Sequence, residues 1–179
     1  MRDRLVVLSE FLAVANRAAL WVSGIGLVLM TLFVAWQIFG RYVLNASPSW
    51  TEPASLLLMS WFILLGSAAG VREGNHLGFE IGLHYAPPAF RKLMLIVTEV
   101  LVIGFGGAMA WYGADLATET WSAAMPGLPI PQGMDYVPLV VGGILIALFA
   151  LEKLVRLLAR GEETPLVRHD EPHLVVVKD

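Results

Sequence analysis

The stretch QIFGRYVLNASPSWTEPASLLLMSW, residues 37–61, decides how this chain is read. It joins two 19-residue runs that hold no charged residue, residues 18–36 and 53–71. As helices, both are long enough to cross the roughly 30 Å hydrocarbon core of a bilayer. Arg41 and Glu52 are the only charges in the joining stretch, and they flank a turn-forming segment with Asn45, Pro48 and Trp50. This pattern predicts two antiparallel membrane spans with a short polar hairpin between them.

Working outward, a third run covers residues 93–113 and is interrupted only by Glu99, and a fourth covers residues 136–151. The chain of 179 residues is 57% hydrophobic and 15% charged, whereas a soluble domain carries about 25% charged residues. The expected fold is an all-α integral membrane protein with four transmembrane helices, at about 18–38, 53–72, 91–115 and 135–156. Residues 1–160 form one membrane domain in this reading, and residues 161–179 a polar cytoplasmic tail. A signal peptide is not expected, because Glu10 breaks the apolar run before the "AVA" at residues 13–15. Leu5, Leu8, Leu12 and Ala15 are read as one face of a short interfacial helix, opposite Arg2, Ser9 and Asn16. A second interfacial helix is expected around HLGFEIGLHY, residues 76–85, stopped by Pro87, with Pro88 placed to begin the third span.

Eleven of the twelve basic residues fall on the side holding both termini, against Arg41 alone on the other. Retention of positive charge in the cytoplasm then predicts that both termini lie inside. The opposite face, with Glu52, Asp115, Glu119 and Asp135, is acidic. There is no cysteine, no phosphate loop, no nucleophile elbow and no HExxH, and no histidine lies within a span. Catalysis, a resident cofactor or metal, and a nucleic-acid partner are therefore not expected. Glu99 is the candidate intramembrane ion or pairing site. In the hairpin, Thr51 is expected to cap the second span with Pro53 in its first turn, and Ser49 with Glu52 forms a rival capping box. Trp50 suits the membrane–water boundary, and Arg41 could pair with Glu52. Gly66 and Gly70, GFGGA at residues 104–108, and Gly142 with Gly143 predict close helix packing.

The phrase QIFGRYVLNASPSWTEPAS resembles the signature of the DctQ-type small membrane subunit of tripartite ATP-independent periplasmic (TRAP) transporters. The matching residues are Gln37, Arg41, Tyr42, Asn45, Ser47, Trp50, Thr51 and Glu52. LLGSAAGVREGNHLGFE, with His76 and Glu80, and the proline-rich PGLPIPQGMDYVPL extend the likeness over roughly residues 17–160. Pro53 departs from it, standing where relatives carry a second acid. The resemblance implies a subunit of a secondary transporter in the bacterial inner membrane. A periplasmic binding protein would deliver organic acids, and a large membrane subunit would move them with sodium ions. The present chain would widen that subunit's scaffold. Arg41 and Glu52 are then expected to meet the large subunit, with Trp50 setting depth, and Glu73, His76 and Glu80 are expected to do similar work on the inner face. The competing reading is a self-sufficient homo-oligomeric transporter or channel with Glu99 as its ion site.

Overall fold

A computed structural model describes residues 2–46, 48–74 and 88–160. Four helices make up the fold: α1 (Arg2–Tyr42), α2 (Thr51–Glu73), α3 (Pro88–Glu119) and α4 (Val137–Arg160). A 3-10 turn, Gln132–Asp135, leads into α4. All four helices contain segments long and apolar enough to cross a membrane, by length and composition. The chain starts and the last helix finishes at the same end of the bundle, called here the termini end.

α1 corrects the first expectation. It runs unbroken for 41 residues, about 60 Å, so residues 2–17 do not form a separate interfacial helix. No glycine or proline occurs before Gly24 to break it. Nor does Asn16 oppose Leu12: a four-residue spacing puts the two on one face, and both are buried. Leu12 packs with Ala68, Ile146 and Phe149, so the first part of α1 is fastened to the bundle. The second interfacial helix expected around residues 76–85 lies outside the described residues. Pro88 begins α3 as expected.

The helices pack in the order α1, α2, α4, α3, each mainly on its neighbour in that sequence. α4 is therefore an inner helix, and it is the most sharply two-faced of the four. Ile144, Leu148, Leu151, Val155 and Leu158 form its exposed stripe, while Ile146, Phe149, Ala150 and Leu157 are buried. Two glycines make the α3–α4 crossing possible. A Cβ on Gly143 would stand 2.6 Å from the Gly106 carbonyl oxygen, and one on Gly106 would stand 2.8 Å from that of Gly143. Lipid offers no hydrophobic drive for association, so this backbone approach supplies the packing energy. Gly142 is tight against Leu64 of α2, at 2.9 Å. In the expected Gly66–Gly70 pair, a Cβ on Gly66 would meet the Ser23 hydroxyl at 3.1 Å, while Gly70 has open space. The Ser23 hydroxyl itself donates to the Phe62 carbonyl at 2.6 Å, joining α1 to α2.

Candidate functional site at the two ends of the bundle

At the loop end, α1 stops at Tyr42 and α2 starts at Thr51. The turn is closed by the Ala46 amide donating to the Gly40 carbonyl at 3.0 Å. Gly40 is required there, since a Cβ would lie 2.9 Å from the Ala46 oxygen. Asn45 takes a left-handed conformation, φ 49°, which asparagine tolerates better than most residues. The expected caps do not form. Trp50 occupies the cap position with a helical backbone and no side-chain cap bond. Thr51 is fully buried as the first helical residue. Its hydroxyl donates backward to the Pro48 carbonyl at 2.8 Å, instead of accepting from a helix amide. The turn from Pro48 already curls helically into α2, so the hydroxyl finds a carbonyl behind it.

Trp50 meets Phe33 of α1 edge-on, with centroids 5.4 Å apart, and keeps part of its surface exposed. The clasp between Arg41 and Glu52 is absent among the described residues. Both are exposed and no ion pair joins them. Tyr42 and Asn45 are exposed as well, and Gln37 is half-buried; Ser47 lies outside the described residues. The proline-rich loop folds over this hairpin. Met125 and Gln132 amides bond to the carbonyls of Ile130 and Ala123, which tightens the loop around Gly127, φ 83°. A Cβ at Gly127 would collide with the Ser49 carbonyl.

At the termini end, sequence reasoning missed an ionic network. Glu99 is 3% exposed, and its carboxylate is held by the Lys153 ammonium of α4 at 2.9 Å. One residue back, buried Glu152 accepts from Arg72 of α2 at 3.4 Å and from Arg156 at 2.8 Å. Arg72 also donates to the Ser9 carbonyl of α1 at 3.3 Å and stacks over Phe149, 5.7 Å from its ring centre. Lys153 reaches close to Gly74, the left-handed residue that ends α2. All four helices thus meet at one set of charges. Glu73 is exposed at the end of α2, while His76 and Glu80 lie outside the described residues. The missed residues, Arg72, Glu152, Lys153 and Arg156, carried a signal in their alternating charge just beyond two apolar runs.

Among the described residues, neither end brings together groups that resemble a reaction centre. A further concave feature is an open groove of 470 Å³ on α1, lined by Leu20, Trp21, Gly24, Ile25, Val28 and Leu29. No group of histidine, cysteine or acid side chains that could hold a metal occurs among the described residues. Four apolar helices, joined by backbone contact and an ionic network, define a multi-pass membrane protein.

Comparison with known proteins identifies the family. The model of the DctQ component of tripartite ATP-independent periplasmic transporters matches residues 30–160, and the chain belongs to that family. It is a DctQ-type small membrane component of the bacterial inner membrane, and the family is one of transporter subunits, not enzymes. A Haemophilus influenzae protein described provisionally as a TRAP transporter small permease is 26% identical over 132 residues, covering 72% of this chain and 80% of the relative. The sialic acid TRAP transporter small permease SiaQ of Vibrio cholerae is 26% identical over 125 residues, 70% of this chain and 72% of the relative. The C4-dicarboxylate TRAP transporter small permease DctQ of the same species is 22% identical over 113 residues, 60% of this chain. There the match spans about half of the relative, 48% of its length.

Proposed function

We propose that this chain is a static scaffold subunit that packs against a large membrane subunit, which itself moves organic acids inward with sodium ions. A periplasmic binding protein delivers the acid, and both termini of the scaffold face the cytoplasm. The substrate class rests on the relatives, whose names specify C4-dicarboxylate and sialic acid, both carboxylates.

The observation that carries the scaffold role is the pairing of Glu99 with Lys153. An ion-carrying carboxylate must exchange its partner during transport. Here it is held by a lysine from an adjacent helix, beside a second paired acid, in a network that touches every helix. That arrangement favours rigidity over ion exchange and argues against a self-sufficient transporter built on Glu99.

The test is mild-detergent purification of the tagged chain from its native membrane, together with transport assays in liposomes. The scaffold reading expects a stoichiometric large polytopic partner and no uptake by this chain alone, whether residue 99 is Glu or Gln. Uptake by the chain alone that disappears in Glu99→Gln would overturn it.

A further inference from the structure

We propose that the α3–α4 seam at the termini end binds the headgroup of an anionic phospholipid through Lys92, Lys153 and Arg156. This does not depend on the scaffold role or on which way the chain is oriented.

Depth is the first argument. The apolar segment of α3 begins at Lys92 and that of α4 ends at Leu158, so the end of the seam lies where hydrocarbon gives way to headgroups. Charge is the second. Arg72, Lys92, Lys153 and Arg156 line this end, and their ion pairs among the described residues use only two carboxylates, Glu99 and Glu152. Arg72 is spent internally, held between Glu152 and the Ser9 carbonyl. The other three cations retain access. Arg156 engages Glu152 through one terminal nitrogen and leaves 38% of its side chain exposed, and Lys153 leaves 30%. Lys92 is exposed and joins no ion pair among the described residues. It lies seven residues before Glu99, two helical turns along the same face of α3, and so continues the row of charge toward the water.

A phosphate suits this set. Arginine presents several parallel donors to phosphate oxygens, and lysine adds compact point charges. Basic pockets between transmembrane helices at headgroup level recognise anionic lipids on this principle. Phe90, Leu93 and Val97 expose apolar surface on α3 next to Lys92, along which acyl chains can lie. A free phosphate offers the same anion without the chains, and the test separates the two.

The full chain, purified in a neutral detergent, is titrated with phosphatidylglycerol, phosphatidylcholine or inorganic phosphate, and bound lipid is counted by native mass spectrometry. Phosphatidylglycerol is expected to bind in preference to phosphatidylcholine and to survive millimolar phosphate. Lys92→Gln and Arg156→Gln should each weaken it about fivefold, and the two together about 25-fold. Because Lys92 is exposed and joins no ion pair among the described residues, Lys92→Gln should retain the wild-type unfolding midpoint without lipid, so lost binding reads the site and not the fold. Equal retention of phosphatidylcholine, or wild-type affinity in both variants, would overturn the proposal. Displacement of the lipid by inorganic phosphate would also overturn it, assigning the seam to a soluble anion.

Discussion

Replacing Lys153 with Met leaves the Glu99 carboxylate buried, at 4% side-chain exposure, without its cation. Losing one member of a buried ion pair costs about 3–5 kcal/mol. Lys153 is 30% exposed, so water recovers part of that and the lower figure is the better guide. Lys153→Met should therefore lower stability by about 3 kcal/mol. Glu99→Gln with Lys153→Met should recover most of the loss, because no buried charge is left alone. The assay is equilibrium unfolding in mixed micelles, with all four members of the double-mutant cycle. A single variant within about 1 kcal/mol of wild type would refute the claim that this pair is desolvated.

The α3–α4 crossing should not accept a methyl group. Gly143→Ala places carbon against the Gly106 carbonyl and the Ala110 amide, 2.6 and 2.8 Å away, and should cost about 2 kcal/mol or more in the same unfolding assay. Gly104→Ala and Gly107→Ala meet nothing within 4 Å and should be neutral or stabilising by up to about 1 kcal/mol. Asn16 buries a side-chain oxygen that has no hydrogen-bond partner among the described residues, so Asn16→Leu should change stability by less than about 1 kcal/mol; a loss above that would reveal a partner for the amide. Arg41→Ala removes an exposed side chain with no ion pair among the described residues and should leave the unfolding midpoint within about 0.5 kcal/mol of wild type. If Arg41 meets the large subunit, the same variant should lower co-purification yield; wild-type yield and uptake would defeat that role.

Four helices were legible because long apolar runs holding at most one charge seldom occur outside membrane spans. Their ends were less so. The apolar run of the fourth span stops at Leu151, yet α4 continues to Arg160 because Glu152, Lys153 and Arg156 find partners on α2, on α3 and within α4. Hydropathy registers those residues as the edge of the membrane, and only tertiary contact reveals that Glu152 is buried there and that Lys153 and Arg156 are partly drawn into the bundle. Glu99 stood out, but Lys153 is 54 positions away and no periodicity links them. Thr51 failed as a cap for a local reason. Capping rules assume an extended residue before the helix, and Trp50 is already helical, with φ −86° and ψ −19°. The Arg41–Glu52 clasp rested on nearness in sequence, which a tight turn does not convert into nearness of side chains.

The length of α1 bears on the membrane around it. Arg17 and Arg41 are both exposed and 24 residues apart, about 36 Å along a helix. Set against about 30 Å of hydrocarbon, that length is enough to span with some lean. The turns before Arg17 cannot swing free to relieve that lean, because Leu12 is packed against Ala68 and Phe149 and the Ser9 carbonyl is gripped by Arg72. The inclination of α1 is thus tied to bilayer thickness and shared with its neighbours. Shorter acyl chains should tip the array further over, and longer ones should bring it upright.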